Sequence, residues 1–214
     1  KNQLANTAFY TSAASSDSLP VDEGREIAFA GRSNAGKSSV INRLCNQKSL
    51  ARTSKTPGRT QLINFFNVSQ ANKLADLPGY GYAKASHSKQ RQWLELLEYY
   101  FSHRQALKGT IIVMDIRHPF QDADQKMIDW CIHHQCDVHI FLNKSDKLSR
   151  NKAHNQLQSA NRLLTAYPAG SISIQLFSGK YIRPGIGETK PSAQGGKRVS
   201  ALTAHGNYDW TIKN

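Results

Sequence analysis

Short apolar runs alternate with amphipathic stretches along most of the chain beyond residue 25. The short runs predict buried β-strands, and the stretches with apolar residues at every third or fourth position predict helices. The predicted strands are Glu26–Ala30, Leu62–Val68, Lys73–Asp76, Thr110–Asp115, Val138–Asn143 and Ile172–Phe177. The predicted helices are Lys37–Asn46, Ser88–Gln105, Gln121–His134 and Arg150–Tyr167. The pattern is that of an α/β protein.

The order of these elements predicts the layers of the fold. Strands alternate with helices after residue 76, which implies right-handed crossovers between parallel strands. The short link Ser69–Asn72 allows only a hairpin between the second and third strands, so one antiparallel edge strand is expected. We therefore predict a three-layer α/β/α fold around a six-stranded, mostly parallel sheet.

Two terminal segments depart from this pattern. Residues 1–22 are rich in Ser, Ala, Asn and Thr, and we expect a flexible arm with one edge contact through Phe9 and Tyr10. Residues 23–179 are predicted to form the globular domain. Residues 180–214 hold six Lys or Arg against two acidic residues, with several Gly and no apolar period. That composition predicts a poorly ordered, Gly-rich basic tail.

Charge and cysteine usage narrow the class of protein. The 28 Lys and Arg outnumber the 15 Asp and Glu, which gives a net charge of +13. The excess favours a polyanionic partner, nucleic acid before an anionic membrane, although an ordinary basic surface would have the same composition. Three cysteines without a framework spacing indicate reduced thiols and a cytoplasmic protein. No apolar run is long enough to form a transmembrane segment.

The strongest chemical signal is the segment Gly31–Ser38, which matches G-x-x-x-x-G-K-[ST]. It follows a predicted strand and opens a predicted helix, so backbone N–H groups and the helix dipole can face an anion. Lys37 is expected to reach the β- and γ-phosphates of a nucleotide, and Ser38 to bind Mg²⁺. A chance glycine-rich turn would match too, so the other motifs decide. The predicted nucleotide contacts here are Gly31, Arg32, Ser33, Asn34, Ala35, Gly36, Lys37, Ser38 and Ser39.

A second motif ends the third predicted strand, where open α/β sheets bind ligands. Asp76 can hold a water bound to Mg²⁺, and the Gly79 N–H can contact a γ-phosphate because glycine permits a close approach. The predicted contacts in this motif are Asp76, Leu77, Pro78 and Gly79.

A third motif, Asn143–Asp146, ends the fifth predicted strand. The Asp146 carboxylate can accept hydrogen bonds from guanine N1–H and N2–H₂, a pattern that adenine lacks. Lys144 can pack along the base, and Asn143 can tie this loop to the phosphate loop. The predicted contacts are Asn143, Lys144, Ser145 and Asp146. This motif argues against the alternative of an ATP-dependent P-loop kinase.

Between the first two motifs lies the polar, basic segment Lys48–Gln61. Thr60 stands just before the hairpin strand, where it can complete the Mg²⁺ shell and contact a γ-phosphate. Nucleotide-dependent ordering of this segment is the expected switch. The predicted contacts are Gly58, Arg59, Thr60, Gln61 and Leu62. Lys37, Thr60 and Gly79 are thus the predicted catalytic groups.

These motifs resemble the EngB (YihA/YsxC) family of bacterial ribosome-biogenesis GTP-binding proteins, small GTPases of the translation-factor-related (TRAFAC) class. The resemblance covers residues 20–178, and Lys55–Gln61 and Asp76–Ala83 are its most selective parts. The other matching segments are Ala28–Ser39, Met114–Pro119 and Asn143–Lys147. The resemblance implies a P-loop NTPase fold of the Ras-like G-domain type and binding of GTP or GDP with Mg²⁺. It further implies slow GTP hydrolysis, a role in large ribosomal subunit assembly, and a link to cell division and septum formation. We expect a monomer.

The resemblance also places a fifth GTPase motif, with a backbone N–H on guanine O6, at Phe177, Ser178 and Gly179. The family then continues into an amphipathic helix. This chain departs from it after residue 180, and an altered or frameshifted end and a basic tail both remain open.

The position after Asp-x-x-Gly is a further departure. Ras-like enzymes use a Gln there to orient the attacking water, whereas this chain has Tyr80. One interpretation is a switch or packing residue in an enzyme that its ribosomal partner stimulates. A second is that Asn34, which resembles the asparagine of potassium-stimulated GTPases, is a tentative K⁺ ligand near the phosphates. A nucleotide-holding scaffold for ribosomal RNA with little turnover is the alternative function.

The basic excess has a candidate target under this interpretation. Lys and Arg residues in the first switch segment, Lys48–Gln61, and after the second, Asp76–Ala83, are predicted to contact ribosomal RNA phosphates, which makes binding salt-sensitive. These residues are Arg52, Lys55, Arg59, Lys84, Lys89 and Arg91.

Overall fold

The computed structural model describes residues 2–51, 62–80 and 87–180. Its strands are β1 (Ala8–Ala13), β2 (Arg25–Gly31), β3 (Ile63–Asn67), β4 (Asn72–Asp76), β5 (Leu107–Asp115), β6 (Val138–Asn143) and β7 (Ile172–Leu176). Its helices are α1 (Lys37–Leu44), α2 (His87–His103), α3 (Asp122–His133) and α4 (Arg150–Leu164). Two short 3₁₀ turns cover Ser16–Ser18 and Ser145–Lys147.

The strands form one sheet in the order β1-β3-β4-β2-β5-β6-β7. β2 pairs in parallel with β4 and β5, and β6 pairs in parallel with β5 and β7. β3 runs against both of its neighbours, β1 and β4. The carboxyl ends of β2, β4, β5 and β6 therefore meet at one edge of the sheet, as the predicted α/β fold requires.

The amino-terminal segment contributes a strand that the hydrophobic pattern did not predict. We expected six strands, with β3 at the edge, preceded by a loosely attached arm that makes one edge contact through Phe9 and Tyr10. Instead, β1 pairs along β3 from Ala8–Asn67 to Ala13–Ile63, so the sheet has seven strands and β3 lies inside it. The reason is that the outer edge of β3 offers backbone N–H and C=O groups that need partners. Those groups pair with the backbone of another strand whatever its side-chain pattern.

Helices cover both faces of the sheet. On one face, α2, α3 and α4 pack against the strands, through a cluster that includes Leu97, Tyr100, Ile128, Ala160, Ile112 and Ile140. On the other face, α1 packs through a cluster that includes Val40, Ile41, Leu44, Phe29 and Phe141. The three-layer arrangement is thereby confirmed. Within the described ranges, no helix is both long enough and apolar enough to cross a membrane.

A buried ion pair joins the amino end of the sheet to the end of α2. The Arg104 guanidinium donates to Glu26 at 3.0 Å, and the two side chains are only 3% and 0% exposed. Tyr100 donates its hydroxyl to the same carboxylate, and Arg104 also donates to the Pro20 carbonyl at 2.8 Å. Asp22 accepts hydrogen bonds from the backbone N–H groups of the two residues that follow Arg104. The end of the expected arm is therefore fixed to the domain.

Replacing Arg104 by Ala should lower the free energy of unfolding by about 3–5 kcal/mol, because the Glu26 charge would remain buried without its partner. Urea unfolding followed by circular dichroism measures the change. Arg91→Ala is the matched control, since Arg91 pairs with Glu95 at 3.0 Å on the exposed face of α2 and exposed pairs contribute about 0–1 kcal/mol. Equal losses in the two variants would contradict the role given to the buried pair.

Candidate nucleotide-binding site

The segment Gly31–Ser38 forms the turn between β2 and α1. Asn34 and Gly36 adopt left-handed backbone conformations, with φ of 64° and 93°. A Cβ atom on Gly36 would lie 2.4 Å from Asn143 Nδ2, so the position needs glycine for both its conformation and its close approach. The loop thus curves tightly around the start of α1, and the N–H groups of a helix's first turn together with the helix dipole favour an anion.

Lys37 and Asp76, which belong to two different predicted motifs, lie side by side. Lys37 begins α1 and Asp76 ends β4, and Lys37 Nζ donates to the Asp76 carboxylate. Both side chains are largely buried. Ser38 follows Lys37 in the first turn of α1. The structure therefore brings together an ammonium group, a carboxylate and a hydroxyl-bearing residue at the mouth of the loop.

Asn143 joins the loop predicted to bind the base, Asn143–Asp146 (the base loop), to the segment Gly31–Ser38 (the phosphate loop). Its amide Nδ2 donates to the Ala35 carbonyl at 2.9 Å, which is the contact that the sequence suggested. Its Oδ1 accepts a hydrogen bond from the Gly179 N–H at 2.9 Å. The side chain is 1% exposed, so both halves of the amide are satisfied inside the protein. The loops that contain Ala35, Asn143 and Gly179 are thereby held at fixed positions relative to one another.

Lys144 makes a second link between the same loops. Its Nζ donates to the Asn34 carbonyl at 2.7 Å and to Asp115 Oδ2 at 2.9 Å. Arg117 also donates to Asp115, and hydrogen bonds from Arg117 and then Lys144 hold the pKa of that carboxyl well below its usual range. Asp115 is therefore a charged anchor for the lysine of the base loop. The sequence analysis did not single out Asp115, although it ends a predicted strand at the same edge.

The fifth motif lies against the base loop and α1. Ser178 Oγ donates to Asp146 Oδ1 at 2.6 Å, and the Ser145 N–H donates to the Phe177 carbonyl at 3.1 Å. A Cβ atom on Gly179 would meet Ser39 Cβ at 3.0 Å. The glycine in this motif therefore fits a narrow gap beside α1.

Tyr80 occupies the position of the Ras-like glutamine, but its side chain is part of the core. The residue is 6% exposed, and its hydroxyl donates to Asp124 Oδ1 at 2.9 Å. Burial raises the pKa of Tyr80 well above its ordinary value, so the hydroxyl keeps its proton and acts as a donor. No sequence motif marks Asp124, which lies on α3, 44 residues after Tyr80 along the chain.

Some predicted residues lie outside the described part of the chain. These are Gly58, Arg59, Thr60 and Gln61 of the first switch segment, together with the basic residues Arg52, Lys55 and Lys84, the side chain of Lys89 and the tail beyond residue 180. Leu62 is half-buried just before β3, and Leu77 is buried just after β4. The predictions for the residues outside the described ranges stay predictions.

The chain matches the family described as "50S ribosome-binding GTPase" over residues 26–144. It is 50% identical over 182 residues to "Probable GTP-binding protein EngB" of Coxiella burnetii, which covers 85% of this chain and 88% of the relative. It is 52% identical over 172 residues to the protein of that name from Mannheimia succiniciproducens, with 80% and 83% covered.

Two solved structures have the same fold. A probable GTP-binding protein engB superposes with a TM-score of 0.53 at 21% identity, over 72% of this chain and 89% of that chain. Era in complex with MgGDPNP and a segment of 16S ribosomal RNA superposes with a TM-score of 0.55 at 20% identity, over 74% and 52% of the two chains. At these identities the likeness supports the fold alone.

The protein is a P-loop GTPase. This class is defined by the fold together with a tight phosphate loop that is hydrogen-bonded to the base loop. The Asp-x-x-Gly and Asn-Lys-x-Asp segments of this chain begin at the carboxyl ends of β4 and β6, which lie at the same edge of the sheet. The chain belongs to the EngB family of GTP-binding proteins. The nucleotide that the site binds is therefore a guanine nucleotide.

Proposed function

We propose that the protein is a Mg²⁺-dependent GTPase with slow turnover that acts as a nucleotide switch in assembly of the large ribosomal subunit. It works as a monomer in the bacterial cytoplasm and is linked to cell division and septum formation. The observation that carries the GTPase part is the buried Asn143 amide, which holds the phosphate loop and the base loop together. The ribosomal part draws support from the family description, 50S ribosome-binding GTPase.

The residues around α1 suit a Mg²⁺-bound triphosphate. Mg²⁺ prefers oxygen ligands and keeps several waters, and Ser38 and Asp76 supply a hydroxyl and a carboxylate beside Lys37. In the proposal, Ser38 binds the metal directly, Asp76 holds one of its waters, and Thr60 completes the shell. Lys37, which pairs with Asp76 in this structure, would contact the phosphates, and the Gly79 N–H would contact the γ-phosphate.

Slow turnover follows from the place of Tyr80. Its hydroxyl is bonded to Asp124 in the core, so it has no free group with which to orient an attacking water. The same observation favours the second candidate function, a scaffold for ribosomal RNA that holds nucleotide with little turnover. Two sources of missing transition-state stabilisation are proposed, the ribosomal partner and a K⁺ ion at the exposed Asn34.

A further surface of the protein suits an RNA partner. The segment from residue 147 to residue 179 contains no Asp or Glu. Its exposed cations are Lys147, Arg150, Lys152 and Arg162, and none of them is in an ion pair with another described residue. We name these four residues the α4 cationic surface. Unpaired cations of this kind neutralise phosphates and release counterions.

The side chains between these cations favour RNA over an anionic membrane. Exposed amides line the helix, among them Asn151, Asn155, Gln158 and Asn161. Amide groups donate hydrogen bonds to phosphates, and they both donate to and accept from ribose hydroxyls and bases, whereas a helix that lies in a membrane interface buries large apolar side chains. Leu163, 55% exposed, is the one large apolar side chain counted as exposed on α4. We therefore propose RNA as the occupant of the α4 cationic surface.

Sedimentation with purified large subunits tests the switch. We expect the protein to pellet with the subunit when it holds a non-hydrolysable GTP analogue and to stay in the supernatant with GDP. The double variant Lys152→Glu/Arg162→Glu should bind more weakly and lower the slope of log K against log salt concentration, by about 0.7 for each phosphate that is no longer neutralised.

Lys108→Glu/Lys126→Glu is the matched control, since it makes the same change in net charge at two exposed lysines elsewhere. Equal weakening in the two double variants would show that only net charge matters and would remove the α4 cationic surface. Equal pelleting with both nucleotides would contradict the switch.

GTP turnover measured with and without large subunits tests the source of catalysis. We expect the subunit to raise turnover by at least about tenfold, since a partner that supplies the missing transition-state charge gives larger effects in related enzymes. Turnover that stays negligible with the subunit would favour the scaffold.

GTP turnover in KCl compared with NaCl tests whether a K⁺ ion supplies the missing stabilisation. Asn34→Ala is the variant that should lose any difference in turnover between the two salts. Equal rates of the wild type in the two salts would remove K⁺.

A further inference from the structure

The Asp124 carboxylate is buried at the first turn of α3 and serves two nucleotide motifs. It is 0% exposed, and its Oδ1 accepts the hydrogen bond from Tyr80 at 2.9 Å. Its Oδ2 accepts from Arg32 Nε at 3.0 Å and from the Gln121 N–H at 3.1 Å. Arg32 belongs to the phosphate loop, and Tyr80 follows Asp-x-x-Gly. One carboxylate therefore ties both motifs to the start of α3.

Each of the three connections is specific. Arg32 is held on its other side as well, because its Nη2 donates to the His118 carbonyl at 2.7 Å. The bond between Asp124 and the Gln121 N–H closes a capping box at the start of α3, where the helix dipole also favours a negative charge. A buried carboxylate with three donors costs far less than one that has lost a donor. The arrangement is thus fixed rather than adaptable.

The backbone beside Tyr80 is paired with the phosphate loop. The Tyr80 N–H donates to the Gly31 carbonyl at 3.3 Å, and the Ser33 N–H donates to the Tyr80 carbonyl at 3.2 Å. A Cβ atom on Gly79 would lie 3.6 Å from both Gly31 O and Ser33 N. Gly79 therefore lies directly against the phosphate loop. The next residue along the chain is Tyr80, whose side chain is held by Asp124.

We infer that Asp124 is a positioning residue for GTP: by holding Tyr80 and Arg32, it sets the position of the Gly79 N–H relative to the phosphate loop. The inference rests on the GTP–GDP switch proposed above and names the residue that sets its discrimination. Since the Gly79 N–H is proposed to contact the γ-phosphate, which GDP lacks, losing the anchor weakens binding of GTP more than binding of GDP. On this account Tyr80 is fixed by its side chain.

Titration with fluorescent GDP and with a fluorescent non-hydrolysable GTP analogue tests this assignment. Tyr80→Phe removes one hydroxyl and keeps the ring in the core, and Asp124→Asn keeps the shape and removes the charge. We expect each variant to lose about tenfold in affinity for the GTP analogue, the size of one broken charge-assisted hydrogen bond. Affinity for GDP should stay within about twofold in both variants. The double variant should lose no more than the weaker-binding single variant, because both changes break one network.

Asp122→Asn is the control, since it changes an exposed acidic residue in the same turn of α3. It should leave the ratio of the two affinities unchanged. A merely structural role for Asp124 predicts a lower melting temperature with an unchanged ratio, and that result in Tyr80→Phe would overturn the inference. If Asp124→Asn fails to fold, Tyr80→Phe alone decides the outcome by the same ratio. Failure of the proposed switch is distinguishable, because the wild-type protein would then pellet equally with both nucleotides.

Discussion

The whole nucleotide site depends on the side chain of Asn143. Its amide group is buried, donates to the phosphate loop at Ala35 and accepts from Gly179 beyond β7. A guanine nucleotide has its base at one end and its phosphates at the other, so its two loops must keep a fixed separation. Leaving either half of a buried amide unpaired costs about 1–3 kcal/mol. The buried Asn143 amide therefore fixes the separation of the two loops, and the bond from Lys144 to the Asn34 carbonyl supports it from the surface.

Charged side chains form separate networks at the two ends of the sheet. At the amino end, Arg104 and Glu26 are both buried and pair only with groups of the fold, so their pair stabilises the domain. At the carboxyl end, Lys37 pairs with Asp76 and Lys144 pairs with Asp115, and all four lie at the candidate nucleotide-binding site. The two networks differ in whether a bound ligand can compete for their charged groups. The first network stabilises the fold, and the second places its charges at the proposed site for the nucleotide and Mg²⁺.

The elements that were predicted correctly from the sequence are those with a regular hydrophobic pattern or with a motif in the loop that follows them. The strands around the phosphate loop and the base loop, the four helices and the Asn143 contact follow from local residues and their order. β1 could not be predicted in this way, because a short strand without regular alternation, such as Ala8–Ala13, pairs with the free edge of β3 through its backbone rather than through a pattern of its own. Asp124 and Asp115 escaped for a related reason. Each acts on residues far along the chain, and no spacing marks such a contact.

Nucleotide specificity of Asp146→Asn tests the central claim, that this edge of the sheet reads guanine, most directly. Xanthine carries a C2 carbonyl where guanine has its amino group, so an amide at position 146 can donate where the carboxylate accepted. We predict that affinity for GDP falls by about a hundredfold or more, as expected when a matched polar pair is broken, and that xanthosine diphosphate becomes the preferred ligand. An unchanged preference for GDP over xanthosine diphosphate would contradict the account.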